Sequence, residues 1–368
     1  MFKSLSKKTQ IFIKPIKTND LVFSILIALI MIAVGLSFGW YNNKVVPINP
    51  DPIAHYIPNN KNPLSFTSNW DGPNYLSIAK FSYTNSGQTN FFPLYPLLIK
   101  IVHYIIPSFL ISALLISWAA LVGAIYFFIR IIKLLYKEKS SIATLPYLLF
   151  LVLFPTAVFF IGTYTESLMA MLSLGAIYFA LQKKYELSAI LSLFAVLTNL
   201  DGLLVLFFVV LILLEQRLSL IKTFIFGVFS LLGLATYSYY LFVRFNNALL
   251  FISSQKAHGW LNHNYSELIS GIDPFNLIFI IVLIVGAIYW IKQRRISFAL
   301  YSLSFLLIPA IGNQFGGFNR YVLMAFPIQI MVYPMLKKHP SIFIGVVIFM
   351  TISWSYFMFQ YFGGYVGG

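Results

Sequence analysis

The sequence predicts an all-α integral membrane protein, a polytopic bundle of about eleven transmembrane helices that forms one domain over residues 1–368. Of the 368 residues, 59% are hydrophobic and only 10% are charged, and the mean hydropathy is +0.83. Soluble proteins carry roughly 25% charged residues, so this chain has too few to cover a surface in water. Apolar runs of spanning length also recur along the whole sequence.

Runs of about 20 apolar residues are long enough to cross the hydrocarbon core of a bilayer. The run 187–214 is interrupted by polar residues from Thr198 to Gly202, so we expect two short helices that meet at this break. The other predicted membrane helices are 21–40, 109–130, 142–161, 166–182, 223–243, 275–291, 297–312, 321–336 and 341–362. The first of these is too long for the core of a cleaved signal peptide.

The orientation follows from the 25 basic residues, most of which lie in short clusters in every second connection. Lys and Arg mark the cytoplasmic side of membrane proteins. This pattern predicts a cytoplasmic tail over residues 1–20 and an extracytoplasmic C-terminus, in a bacterial plasma membrane or an endoplasmic reticulum membrane. Because the clusters are dispersed, the net charge of +15 does not indicate a nucleic-acid partner. The chain has no cysteine, which excludes disulfides and thiol chemistry.

Polar residues are concentrated in the predicted extracytoplasmic segments, above all in the large first loop, 41–107, and in a second loop, 244–274. The centre of the first loop, Asn69 to Pro96, is polar and rich in turn residues. The stretch from Phe91 to Ile106 is apolar but short, so we expect a helix that lies in the outer membrane interface. A functional site is therefore expected on the extracytoplasmic face.

Asp71 lies between Trp70 and Gly72 in the first loop. An aspartate in a loop often accepts hydrogen bonds from its own backbone and forms a turn. The other interpretation is a general base that takes a proton from a hydroxyl group. The residue pattern leaves both interpretations open.

Two further acids lie in or directly after short polar segments. Glu166 comes after Tyr164 at the predicted start of a helix, and Asp201 lies in the break within 187–214. Asp201 can cap the helix that follows it, while at Glu166 either Thr163 or Thr165 can cap the helix and the acid can complement its dipole. Each can equally face a site, because acids at membrane depth are costly and are usually functional.

Positive charge on the same face would come from Arg320, Lys256 and His258. Arginine recognises phosphate with paired hydrogen bonds, although Arg320 can also be an interfacial anchor. His258 and His263 show no metal-ligand pattern, so no metal is predicted. The nucleotide motifs GxGxxG and GxxxxGK[ST] are absent, which argues against a nucleotide-sugar enzyme, and no cofactor is predicted.

Several blocks, in order along most of the chain, resemble the PIG-V-like mannosyltransferases, a family of the GT-C superfamily that includes GPI mannosyltransferase II and its bacterial relatives. The first block is Trp70-Asp71-Gly72 with Tyr75 and Ile78-Ala79, followed by Phe91-Phe92-Pro93-Leu94-Tyr95-Pro96. The later blocks are Phe154-Pro155-Thr156-Ala157, Tyr164-Thr165-Glu166-Ser167-Leu168, and Asn319-Arg320-Tyr321 with Phe326-Pro327.

The resemblance implies a GT-C-like enzyme that moves mannose, with inversion, from a polyprenyl or dolichyl phosphate to a glycan or glycolipid acceptor on the extracytoplasmic face. Asp71 matches the base proposed for such folds. The residues then expected to bind the donor phosphate are Arg320, Lys256 and His258. Those expected to contact the acceptor or line the site are Trp70, Tyr95, Tyr164, Glu166 and Asp201.

One departure and two alternatives bear on this expectation. Where many relatives read Thr-Arg-Pro-x-Gly, this chain reads Thr198-Asn199-Leu200-Asp201-Gly202, so a basic residue near the donor phosphate is missing and Arg320 or Lys256 would have to replace it. A transporter or flippase of lipid-linked sugars would carry an internal repeat and charges deep in several helices, and the sequence shows neither. A non-catalytic relative would tolerate replacement of Asp71.

Overall fold

The computed structural model describes residues 18–45, 62–257, 273–312, 315 and 317–363. Every regular element in these ranges is a helix and none is a strand, which confirms the all-α prediction. The α-helices before residue 258 are α1 Thr18–Val45, α2 Asp71–Phe81, α3 Leu94–His103, α4 Phe109–Tyr136, α5 Leu145–Val152, α6 Glu166–Leu181, α7 Tyr185–Thr198, α8 Gly202–Glu215, α9 Leu220–Phe245 and α10 Leu250–Ala257. Those after residue 272 are α11 Pro274–Lys292, α12 Ile296–Ser304, α13 Leu307–Gly312, α14 Phe318–Tyr321, α15 Phe326–Leu336 and α16 Pro340–Phe362.

Among the described helices, α1, α4, α9, α11 and α16 are long and apolar enough to cross a membrane. Further apolar helices, such as α6, α7, α8 and α15, have between 10 and 17 residues. These features are those of an all-helical membrane protein. The count of eleven membrane helices stays a prediction, because the shorter helices do not each have a spanning length.

The centre of the bundle is a row of packed helices: α4 packs on α6, α6 on α7, and α7 on α9. A second group, α8, α11, α12 and α15, packs beside this row. The outward faces of α9 and α16 expose large apolar side chains such as Leu220, Phe224 and Ile352. Those faces suit contact with lipid tails, which need no polar cover.

The predicted break at Thr198 to Gly202 is confirmed. Helix α7 ends where Asn199 becomes extended, at φ −161° and ψ 157°, and α8 begins at Gly202. A Cβ atom on Gly202 would lie 2.5 Å from backbone atoms of Ala195 and Val196. The break therefore needs a residue without a side chain where α8 starts against α7.

We expect Gly202→Ala to lower the free energy of unfolding by about 1–3 kcal/mol, because the neighbouring backbone cannot make room for a methyl group. Gly227 in α9 has no atom within 4 Å of the position of a Cβ, so Gly227→Ala is the matched control. It should leave stability unchanged or raise it by about 1 kcal/mol. Thermal unfolding in detergent compares the two, and equal losses would show that the close approach is not required.

The first predicted loop differs from expectation, because much of it is helical. The polar stretch after Asn69 forms α2, in which Gly72 to Ala79 are buried within the bundle rather than exposed. The apolar stretch from Phe91 contains a helix, α3, in which Tyr95 and Ile99 are buried, while its location in the outer membrane interface stays a prediction. Helix α2 was missed because its glycine, proline, asparagine and serine residues are poor helix formers.

Basic residues gather at one end of the bundle. Asp20, at the start of α1, is buried and pairs with Arg130 and Lys133 near the end of α4. Arg130 also donates to the hydroxyl of Tyr178, near the end of α6, at 3.0 Å. Lys137, Lys183, Arg217 and Arg294 all adopt the left-handed conformation directly after α4 or at the ends of α6, α8 and α11. Helix α6 begins at Glu166 and ends among these basic residues. Its 16 residues give it a length of about 24 Å at 1.5 Å per residue, so Glu166 lies about that far from the basic end.

Candidate functional site

The candidate site forms where two turns approach closely, and two glycines allow the approach. A Cβ on Gly72 would lie 2.3 Å from the Thr163 hydroxyl oxygen. A Cβ on Gly162 would lie 2.4 Å from the Tyr361 hydroxyl oxygen and 3.0 Å from the Thr67 carbonyl oxygen. The backbone N–H of Thr163 donates to that same carbonyl at 3.0 Å. The start of α2 is therefore held against the start of α6, which brings Asp71 towards Glu166.

Asp71 is the first residue of α2, and Tyr164 fixes its backbone. The Asp71 N–H donates to the Tyr164 hydroxyl at 3.1 Å, and this hydroxyl donates to the Asn69 carbonyl at 3.1 Å. The Asp71 side chain is 27% exposed. The turn interpretation of Asp71 is not supported, because its carboxylate accepts from another part of the chain.

That partner is Arg320, which lies in the short helix α14. Its Nη1 donates to Oδ2 of Asp71 at 2.6 Å, and its Nε donates to Oε1 of Glu166. The Arg320 residue is only 8% exposed and Glu166 only 5%. Arg320 is thus a buried cation shared by two carboxylates, which rules out a simple interfacial anchor.

Aromatic rings enclose the guanidinium of Arg320. Its carbon Cζ lies 4.8 Å from the centre of the Tyr164 ring and 5.1 Å from that of Phe159. Tyr361 packs edge-on against both rings. Cations are attracted to ring faces, and the rings also keep water from the ion pairs.

The charge of Arg320 is stabilised by its surroundings. Burial lowers the pKa of Arg320, but the Glu166 and Asp71 carboxylates outweigh burial, so this pKa lies well above its ordinary value. The guanidinium therefore stays charged at any physiological pH.

Glu166 does not have the capping environment that the sequence suggested. Thr165 precedes α6 but its side chain caps nothing, and the Thr163 hydroxyl donates to Thr67 instead. Oε1 of Glu166 pairs with Arg320, while Oε2 is buried and has no hydrogen-bond partner in the described part of the chain. A buried unpaired carboxylate oxygen is unusual and indicates a position for a water molecule or a ligand hydroxyl.

Trp70 has a backbone conformation that is rare for a bulky residue, with φ 54° and ψ −106°. Its indole N–H is buried and finds no hydrogen-bond partner within the described residues. Strained residues of this kind concentrate at functional sites. Together with its place directly before Asp71, this conformation supports the prediction that Trp70 lines the site.

Asp201 lies in the turn between α7 and α8, outside the five spanning helices. Its side chain does not cap α8, so the capping interpretation is wrong. Burial raises the pKa of Asp201 to about 7, with Arg320 lowering it and Glu166 raising it. The electrostatic influence of Arg320 and Glu166 associates Asp201 with the same site.

The raised pKa of Asp201 predicts a pH dependence of stability. Between about pH 4 and pH 7 the folded chain keeps a proton that the unfolded chain has lost, so this group makes stability fall as pH rises. Asp201→Asn removes the effect. We expect the melting temperature of the variant, relative to wild type, to be higher at about pH 8 than at about pH 5. A difference that does not change with pH would contradict the assignment.

The remaining predicted residues lie elsewhere. Tyr95 is fully buried and its hydroxyl contacts the Ser117 hydroxyl at 2.7 Å, so it is a core residue rather than a lining residue. Lys256 is exposed on α10, which packs against the turn Gly87–Asn90, and it makes no described contact with Asp71 or Arg320. His258 lies outside the described residues.

The sequence interpretation missed the shared ion pair and the aromatic enclosure. One signal could have found the ion pair: a buried arginine in an apolar bundle requires carboxylate partners, and the chain has only 10 acids to supply them. No pattern in the sequence identified Phe159 and Tyr361 as neighbours of Arg320. In the described ranges, no group of three or more His, Cys, Asp or Glu residues is placed to hold a metal ion.

The site combines a partly exposed carboxylate, a buried guanidinium that holds it, and an indole N–H and a carboxylate oxygen that have no hydrogen-bond partner among the described residues. Such a set can accept a proton, stabilise negative charge and bind hydroxyl groups. No protein-family model matches the chain, and no curated protein matches it.

Proposed function

We propose that the chain is a membrane glycosyltransferase that moves a sugar, mannose by resemblance, from a polyprenyl or dolichyl phosphate to a hydroxyl of a glycan or glycolipid acceptor. The observation that carries the proposal is Asp71, whose carboxylate is partly exposed and held through Oδ2 alone by buried Arg320. Its other oxygen, Oδ1, makes no hydrogen bond or ion pair with a described residue and is available to a substrate.

In this proposal Asp71 takes the proton from the acceptor hydroxyl as its oxygen attacks the anomeric carbon. The bond between that carbon and the phosphate oxygen breaks, and the lipid phosphate leaves with the electron pair. Attack from the face opposite the leaving group inverts the anomeric configuration. Held by Arg320, Asp71 is already oriented before substrate binds, which lowers the entropic cost of reaction.

The role of Arg320 changes from the sequence expectation. Its Nε and Nη1 already serve Glu166 and Asp71, so Arg320 first positions the base. Nη2 makes no hydrogen bond to any described residue and can donate to a phosphate oxygen. Lys256 is exposed on α10 and makes no described contact with Asp71 or Arg320, so it is not proposed as a second phosphate ligand.

The site lies at the end of α6 opposite the basic cluster of Arg130 and Lys133. Under the rule that basic residues mark the cytoplasmic side, the reaction would take place at the extracytoplasmic face. A donor linked to a membrane lipid rather than to a nucleotide suits that location.

One observation favours a different function. The charge of Arg320 is already balanced by two carboxylates, an arrangement that a non-catalytic membrane protein could use to hold its helices together. A non-catalytic protein of this kind would bind no lipid-linked sugar donor. The experiment below separates the two functions.

The test supplies purified protein in liposomes with polyprenyl-phosphate-mannose or with nucleotide-linked mannose, each carrying a radiolabel, and with a mixed glycolipid acceptor fraction from the source membrane. We expect label to reach glycolipid only from the lipid-linked donor. Transfer from the nucleotide donor would contradict the proposal. Failure of wild type to bind or consume the lipid donor would favour the non-catalytic alternative.

A further inference from the structure

A cavity of about 320 Å³ lies between α5, α11, α15 and α16. Its lining exposes no polar atom. Among the described lining residues the one amide side chain is that of Gln329, which is 1% exposed. Its nitrogen donates to the Leu323 carbonyl at 2.8 Å, and its oxygen is buried without a described hydrogen-bond partner. The cavity therefore offers a ligand only dispersion contacts and removal of apolar surface from water.

The cavity extends from the core to the outer surface of the bundle. On one side its lining includes Phe150 and Phe279, which are 1% and 6% exposed. On the other side it includes Met335 and Phe349, which are 38% and 44% exposed. Because these exposed residues belong to apolar helices, the cavity opens towards lipid.

The cavity lies behind the segment that carries Arg320. Val322 lines the cavity and lies two positions after Arg320. A step of two residues in an α- or 3-10 helix turns by about 200–240° around the axis. The two side chains therefore face opposite sides of the segment. Pro155 also lines the cavity, and the next residue, Thr156, donates through its hydroxyl to the Asn319 carbonyl at 3.0 Å. A ligand here would press on the wall behind Arg320 without touching Asp71 or Glu166.

We propose that this cavity binds one acyl chain of a bilayer phospholipid, separately from the reaction centre, and that the bound chain supports the segment 318–324 that positions Arg320. An apolar cavity of this kind excludes water, since water needs polar partners. Its volume equals that of roughly ten water molecules at about 30 Å³ each, which is room for part of one acyl chain. A head group is excluded because no polar atom is offered.

This inference does not depend on the proposed function, because the ligand touches no reacting group. The proposed ligand is an ordinary phospholipid rather than the polyprenyl chain of a donor, because the cavity lining includes no reacting group. A donor whose phosphate meets Nη2 of Arg320 approaches the face of the segment 318–324 that lies away from the cavity.

The test uses the full chain in phosphatidylcholine nanodiscs that contain phosphatidylcholine with a photoactivatable diazirine in its acyl chain. After illumination, labelled peptides are located by mass spectrometry. We expect label to concentrate in α11, α15 and α16 at lining residues. Val282→Phe places bulk in the lining and should reduce that label about tenfold. Ile281→Phe, one residue away, 50% exposed and outside the lining, is the control and should keep it.

A second measurement covers the case in which Val282→Phe folds poorly. Extraction of wild type in lipid-free detergent should lower its melting temperature, and added phosphatidylcholine should restore it. Label spread evenly over all outward helices would overturn the proposal. So would label at these residues from a diazirine polyprenyl phosphate but not from the phospholipid, which would assign the cavity to the donor chain.

Discussion

Arg320→Gln should lower the free energy of unfolding by about 3–5 kcal/mol, the cost of leaving a buried charge without its partner. The reason is Glu166, which is 5% exposed and pairs with no other described cation. Asp71 would suffer less, because its side chain is 27% exposed and water can replace the guanidinium. Thermal unfolding of the purified protein in detergent measures the change.

Arg244→Gln is the matched control, since Arg244 is exposed on α9 and forms no described salt bridge. It should change stability by less than about 0.5 kcal/mol. The double variant Arg320→Gln with Glu166→Gln removes both charges and should recover part of the loss. If Arg320→Gln alone unfolds at the wild-type temperature, the buried pair does not hold the fold together.

Asp71→Asn should reduce sugar transfer by at least about 100-fold, the lower end of the contribution of a general base. The amide cannot take the proton from the acceptor hydroxyl, although its shape is that of the carboxylate. Arg320 keeps its bond to Glu166 in this variant, so the melting temperature should fall far less than in Arg320→Gln. Initial rates and melting temperatures are measured on the same preparations.

The control for Asp71→Asn is Glu186→Gln, which changes an exposed acid near the opposite end of the bundle. It should leave the rate unchanged. A rate loss in both variants would indicate a general effect of charge rather than a base at Asp71. Loss of activity together with unfolding in Asp71→Asn would assign the residue a structural role.

Local patterns predicted what depends on local interactions. The break at Thr198 to Gly202 was predictable because polar residues and a glycine interrupt an apolar run, and a neighbouring helix then requires that glycine. The all-α class was also predictable, because apolar runs of spanning length recur along the chain. Helix α2 was not predictable, because its Gly, Pro, Asn and Ser residues are poor helix formers that tertiary burial stabilises.

The sequence could indicate that a buried Arg320 needs carboxylate partners, but it could not indicate which acids they are. Arg320 is 249 positions from Asp71 and 154 positions from Glu166, so no spacing rule connects them. Tyr95 shows the opposite case. It stands in a motif that suggested the site, but packing places its hydroxyl against Ser117 in the core.

Asp71, held by Arg320, is the proposed base of a lipid-linked sugar transfer. The most direct test of this role is the transfer of radiolabelled mannose from polyprenyl-phosphate-mannose to a glycolipid acceptor fraction in liposomes that contain either wild type or Asp71→Asn, at equal amounts of folded protein. We predict labelled glycolipid with wild type and a signal at background with the variant. Equal transfer by the two proteins would contradict the claim and remove Asp71 from the chemistry.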